Sequence, residues 1–293
     1  MKDETLTRQE KIWRGITVTA HACQPLLLYL VVPALFSCVV ALFMGKTMDP
    51  ESFRWNNGQF SRTMGILLTF YLLWRGCKKR EVTIWDETNL YWKQINWRKF
   101  ALLTVTGIGF SLFMSAVLTV VPLPQFLKGP YHELSSQVYD RLDTVFTVVS
   151  MIILAPVVEE LVFRGYVLNR MLEGYDNLKT AVLASTILFA VCHGTPLWIL
   201  YALFMGLLMS HISIEEENIA YAVALHFGYN VTSLPIWLAN RSPEVSAVVF
   251  ASPVLVVCYG TVGICAAALC LRKYPLSLEK LLSYLPRAGR KKE

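Results

Sequence analysis

Long, almost uncharged apolar stretches limit how this chain can fold more than any other feature of its sequence. A helix needs about 20 apolar residues to cross a bilayer, because it rises ~1.5 Å per residue and the hydrocarbon layer is ~30 Å thick. Hydrophobic residues make up 55% of the 293 residues and charged residues only 16%, whereas soluble domains carry roughly a quarter charged residues. The sequence therefore predicts an all-α, polytopic membrane protein.

The apolar stretches predict eight membrane-crossing helices. Their expected ranges are 25–44, 60–74, 100–121, 144–168, 180–193, 197–214, 219–239 and 246–271. The chain then divides into an amphipathic lead-in at 1–24, a membrane domain at 25–271 with its functional core at about 144–239, and a basic tail at 272–293. The segment 122–143 is the longest loop between spans, and it could cover a site from outside.

The distribution of Lys and Arg predicts the orientation of these helices. If the N-terminus is cytoplasmic, the segments on the cytoplasmic side hold 20 of the 27 Lys and Arg residues. This bias follows the positive-inside rule and places both termini in the cytoplasm. The net charge of +6 is then explained by topology and by contact with anionic lipid, so we predict a lipid bilayer and no nucleic acid as a partner.

Charged residues inside the fourth span are the first functional candidates, because an ionisable group costs several kcal/mol in a membrane. Glu160 and Arg164 are four residues apart with the acid first, which favours a salt bridge and a supporting role. Glu159 lies about 100° around the helix and lacks such a partner in the sequence, so it suits a general base. Pro156 is expected to kink the helix and loosen its backbone pairing.

Two further clusters place polar groups in apolar helices. Phe189 and His193 end the fifth span, and His226 and Asn230 share one face of the seventh. Two hydrogen-bonding groups aimed at one point could polarise a peptide carbonyl and stabilise an oxyanion. His193 could instead cap a helix, and His226 with Asn230 could only bond neighbouring helices. The similar depth of the three clusters favours a shared polar catalytic cavity within the membrane.

The motifs Glu159-Glu160-x-x-x-Arg164, Phe189-x-x-x-His193 and His226-x-x-x-Asn230, in this order on successive helices, resemble those of the CPBP family. This is the CAAX protease and bacteriocin-processing group, also called Abi, which is related to the Ras-converting CAAX prenyl endopeptidase. The resemblance covers about residues 152–230, roughly a quarter of the chain.

The resemblance implies an eight-helix intramembrane endopeptidase with a cavity open toward the cytoplasm. Glu159 and His193 would activate the attacking water, His226 and Asn230 would hold the oxyanion, and Glu160, Arg164 and Phe189 would support the site. The family is commonly labelled metalloprotease, and Glu159, His193 and His226 would be the ligands of a zinc ion. The sequence lacks a His-Glu-x-x-His pair and favours a mechanism without metal.

Two other functions stay open at the level of sequence. A non-catalytic membrane scaffold or bacteriocin self-immunity protein could use the same fold, and a transporter could use buried charges as an ion pathway, although no internal repeat supports it. The expected partner is a peptide or membrane-protein substrate, and the compact loops favour the plasma membrane of a bacterium. The substrate and the oligomeric state are not specified by the sequence.

Overall fold

The described part of the chain is helical. A computed structural model describes residues 7–44, 50–139 and 145–274, and in these ranges no strand occurs. The helices are α1 Arg8–Met44, α2 Pro50–Lys79, α3 Ile84–Thr88, α4 Trp97–Val120, α5 Gln125–Tyr139, α6 Val145–Tyr175, α7 Leu178–Val191, α8 Pro196–Glu215, α9 Ala220–Val231, α10 Ser233–Asn240, α11 Pro243–Ala251 and α12 Pro253–Lys273. The all-α prediction is confirmed for these ranges.

Five of these helices are long and apolar enough to cross a membrane, by length and composition: α1, α4, α6, α8 and α12. The other three predicted spans also lie on helices, but α7 has only 14 residues and the seventh span is divided into α9 and α10 at Thr232. The eighth predicted span, 246–271, is likewise divided into α11 and α12 at Ser252. The predicted lead-in and the first span form one helix from Arg8. The first six residues and most of the predicted basic tail, from 275 on, lie outside the described residues.

The segment 122–143 differs from its prediction as a loop, because most of it forms α5. This helix begins at Gln125, soon after two prolines, and contacts α8. Its moderately polar sequence contains Pro130 inside the helix, and that residue masks the helical pattern in the sequence. The segment expected to be a loop is therefore largely helical.

Basic residues cluster where several helices begin or end. Lys99 at the start of α4 pairs with Glu216 after α8 at 2.6 Å, and Tyr274 donates a hydrogen bond to Glu216 at 2.7 Å. Nearby, Glu87 accepts from both Arg80 at 2.9 Å and Arg170 at 2.7 Å. We call this the basic end of the bundle and the opposite end the far end.

The helices α4 and α9 lie in close contact because each presents a glycine to the other. A Cβ built on Gly228 would lie 2.0 Å from the Thr104 carbonyl oxygen, and one on Gly107 would lie 2.0 Å from the Leu225 carbonyl oxygen. Small residues allow such backbone approach in membrane bundles. Because α9 carries His226 and Asn230, this contact fixes the position of both side chains.

Replacing Gly228 with alanine should destabilise the protein by roughly 1–3 kcal/mol, because the added methyl group overlaps the backbone of α4. The measurement is thermal unfolding of the purified protein in detergent. Gly76→Ala is the matched control, since no atom lies within 4 Å of a Cβ at that position. Equal unfolding temperatures for Gly228→Ala and wild type would contradict this account of the packing.

Candidate active site

The helix α6 has an unusual geometry around its two glutamates. Residues Val149–Leu154 and Leu161–Leu168 are π-helical, and Ala155–Glu160 between them is α-helical. Wide turns of this kind are frequent at functional sites. Pro156 cannot donate a backbone hydrogen bond, so the expected loosening of backbone pairing near it coincides with the first π-helical stretch.

Glu159 is half-buried and receives a hydrogen bond that the sequence did not reveal. The Tyr29 hydroxyl of α1 donates to its Oε1 at 2.6 Å, across 130 residues of sequence. Its other oxygen, Oε2, lies 3.9 Å from His226 Nε2. A tyrosine in an apolar helix often reaches a polar partner when it is buried, which was the only available signal for Tyr29.

Glu160 and Arg164 form the expected ion pair, and both side chains are fully buried. Arg164 Nη1 donates to Glu160 Oε1 at 2.9 Å, and Nη2 donates to the Gly206 carbonyl of α8 at 3.0 Å. The same oxygen of Glu160 lies 2.9 Å from His226 Nδ1. One carboxylate oxygen thus connects α6 with α9, and the arginine connects α6 with α8.

These contacts determine which nitrogen of each histidine carries a proton. His193 Nδ1 lies 2.8 Å from the Phe189 carbonyl oxygen, which can only accept, so Nδ1 donates and Nε2 of the neutral ring has a free lone pair. His226 Nδ1 likewise donates to the carboxylate of Glu160. Its Nε2 can donate a hydrogen bond to another group only when the ring is protonated.

Phe189 packs between the polar residues and limits their movement. Its ring lies 4.3 Å from the guanidinium carbon of Arg164, and its centroid lies 4.6 Å from that of His193 and 5.7 Å from that of His226. An arginine over an aromatic face is attracted by the ring quadrupole. Phe189 therefore orients both imidazoles from one side.

Asn230 lies on the same helix as His226 and is half-buried. One of its amide N–H groups donates to the Met151 carbonyl at 2.9 Å, in the π-helical stretch of α6. The amide has a second N–H, which remains for another acceptor.

A cavity of about 190 Å³ joins the candidate residues. Glu159, Phe189, His193, His226 and Asn230 line it, whereas Glu160 and Arg164 lie behind its wall. Much of its remaining wall was not predicted, and it comes from helices distant in sequence: Arg62, Ser111, Met114, Ser115, Leu118, Tyr131, Ser135, Trp198, Tyr201, Tyr229, Ser233 and Ile236. Tyr131 and Ser135 show that α5 closes one side of the cavity, as the prediction for 122–143 suggested.

The cavity extends from Glu159 toward the far end of the bundle. It is lined by the second half of α4, the first half of α8, the end of α9 and the start of α10, and these parts point away from the basic end. Within the described ranges, no three His, Cys, Asp or Glu side chains are grouped as metal ligands.

A double-mutant cycle tests the buried ion pair. We expect Glu160→Leu alone to destabilise the protein by roughly 3–5 kcal/mol, because it leaves the Arg164 charge buried and unpaired. The double variant Glu160→Leu, Arg164→Met should regain much of the lost stability, because no isolated charge is left in the interior. Thermal unfolding in detergent of both single variants and the double variant measures this. A double variant that loses the sum of the single effects would contradict the pairing.

Comparison with known proteins agrees with the motifs. Residues 141–232 match the family model of the type II CAAX prenyl endopeptidase Rce1-like group. The match contains all three motifs and ends two residues after Asn230. No curated protein and no solved structure matches the chain. The resemblance seen in the sequence is thus confirmed for the segment 141–232, which is similar to the CAAX prenyl endopeptidase family.

Proposed function

We propose that this protein is an intramembrane endopeptidase that hydrolyses a peptide bond in a membrane-associated protein or peptide. The observation that carries the proposal is the convergence of Glu159, His193, His226 and Asn230, from three separate parts of the chain, on one cavity. The family supports a CAAX-type protease in general. The catalytic roles of the four residues are our inference from their contacts.

The first step in this proposal is the attack of water on the peptide carbonyl carbon. Glu159 takes a proton from the water, and the hydroxyl of Tyr29, which donates to Oε1, leaves Oε2 as the basic oxygen. The bare Nε2 of His193 accepts a hydrogen bond from the same water and orients it. The products of this step are a tetrahedral oxyanion and a protonated Glu159.

The oxyanion needs hydrogen-bond donors, and the structure limits which groups can supply them. The second N–H of Asn230 is one donor. His226 becomes the other only as an imidazolium, because its Nδ1–H is bound to Glu160. The carboxylate of Glu160 stabilises that charged form, as a buried acid does for the histidine of a Ser-His-Asp triad.

Collapse of the tetrahedral intermediate completes the reaction. The proton held by Glu159 passes to the amide nitrogen, the carbon–nitrogen bond breaks, and an amine and a carboxylate leave the cavity. Glu159 thereby returns to the carboxylate, and the imidazolium of His226, whose Nε2 lies 3.9 Å from Glu159 Oε2, stabilises that charge. The proposed mechanism uses no metal, because a carboxylate and a neutral imidazole can activate water without one.

For the membrane arrangement, we propose eight crossing segments in a bacterial plasma membrane, with both termini and the basic end in the cytoplasm. The Lys and Arg bias supports this orientation, and three of the segments, on α2, α7 and α9 with α10, are short or polar for a span. The cavity then extends toward the outer side. This disagrees with the cytoplasmic opening implied by the resemblance, and we favour the orientation that the charges support.

Loss of the Glu159 carboxylate should reduce processing of the natural substrate by at least about 10²-fold, the usual contribution of a general base. Wild type and Glu159→Ala, expressed at equal levels in the source organism, are compared by mass spectrometry of membrane peptides and protein C-termini. Precursors that accumulate only with Glu159→Ala identify the substrate. Glu173→Ala, an exposed position on the same helix, is the matched control.

The opposite result of this experiment has a defined meaning. Identical peptide profiles, together with a phenotype that Glu159→Ala still rescues, would replace the enzyme with a non-catalytic scaffold or self-immunity protein.

The proposed orientation predicts that the cavity is reached from outside the cell. Ser233, which is half-buried, lines the cavity, whereas Lys93 is exposed at the basic end. In intact cells, a membrane-impermeant maleimide should label Ser233→Cys above the level of wild type, which contains seven native cysteines. It should label Lys93→Cys only after permeabilisation. The reverse pattern would show that the cavity opens to the cytoplasm.

A further inference from the structure

Arg62 is a second charged group in the same cavity, and the mechanism does not use it. It is the single Lys or Arg among the residues that line the described cavity, and Glu159 is the single Asp or Glu. The Arg62 side chain is exposed and forms no salt bridge within 7–44, 50–139 and 145–274. Charged side chains that face a cavity in a membrane bundle commonly mark the path of a ligand.

The position of Arg62 in α2 places it toward the far end. The next residue, Thr63, donates to the Phe146 carbonyl at the start of α6 at 3.1 Å, about three turns of α6 before Glu159. Arg62 is still close enough to act electrostatically on the Tyr29 hydroxyl, which binds Glu159. The cavity therefore has an acidic side chain, Glu159, at its inner end and a basic side chain, Arg62, toward its mouth.

This charge distribution selects among peptides. Glu159 repels a negative group at the inner end, and Arg62 attracts one at the mouth, where its planar fork can bind both oxygens of a carboxylate. The apolar and aromatic wall between them, which includes Trp198 and Tyr201, suits uncharged side chains.

We propose that Arg62 forms a carboxylate-binding subsite that anchors one end of the substrate peptide while the cleaved bond lies at Glu159. The carboxylate is either the C-terminus of the peptide or the side chain of an aspartate or glutamate. This inference rests on the proposed peptidase function, because it assumes that the ligand of the cavity is a peptide.

Binding tests this subsite without the need for cleavage. The protein carries Glu159→Gln to prevent turnover, and fluorescence anisotropy follows a dye-labelled, uncharged apolar pentapeptide in detergent. The peptide is prepared as the free acid, as the C-terminal amide, and as the amide with one internal aspartate. We expect the free acid to bind roughly tenfold more tightly than the plain amide, as for a hydrogen bond to a charged group.

Variants of Arg62 decide whether this difference arises at the proposed subsite. Arg62→Gln should remove the preference for the acid, and Arg62→Lys should keep part of it, because it keeps the charge and loses the fork. Arg241→Gln is the matched control, since Arg241 stacks on Trp237 and does not line the cavity. If the aspartate peptide binds more tightly than the plain amide, the subsite accepts a side-chain carboxylate. If only the free acid binds more tightly than the plain amide, the subsite binds a C-terminus.

Several results would overturn the subsite. These are equal affinities for all three peptides, a preference for a carboxylate peptide that survives Arg62→Gln, or an equal loss of affinity for all three peptides in Arg62→Gln, which would mean that Arg62 acts on the fold or on Glu159. If Glu159→Ala and wild type process peptides equally in the source organism, the proposed peptidase function is contradicted. The binding result is separate from that outcome, because it is measured with an inactive variant.

Discussion

The site depends on the hydrogen bonds that the buried carboxylate of Glu160 accepts. A single oxygen receives Arg164 from one side and His226 from the other, both at 2.9 Å. Isolated charges are costly in a low-dielectric interior, and a buried charge network is stable only when its partners are all in place. The network therefore specifies one arrangement of α6, α8 and α9. It also determines the tautomer of His226, because Nδ1 of this residue donates to Glu160.

The local parts of this arrangement were readable from the sequence. Residues four apart on a helix share a face, so the Glu160–Arg164 pair follows from spacing alone. The helical class and most helix positions follow from the apolar stretches. The roles of the catalytic candidates stay predictions, although the structure brings Glu159, His193, His226 and Asn230 to one cavity.

The parts that could not be read depend on contacts between distant segments. Tyr29 reaches Glu159 across 130 residues, and Arg62 belongs to a helix whose apolar character is weak. Gly228 allows α4 to approach α9 closely, and the spacing of residues within α9 does not indicate this neighbour. No periodicity in one helix reveals which neighbour it will meet, and a cavity is a property of several helices together.

The hydrogen bond from Tyr29 has a consequence for how the sequence of this protein can diverge. The segment 141–232 that matches the family model contains Glu159, His193, His226 and Asn230, but α1, α2, α4, α5 and α10 contribute the tyrosine and much of the cavity wall. The segment is therefore not a module that could be moved to another protein with its cavity intact. Drift in the flanking helices can change the shape of the cavity while the motifs stay the same.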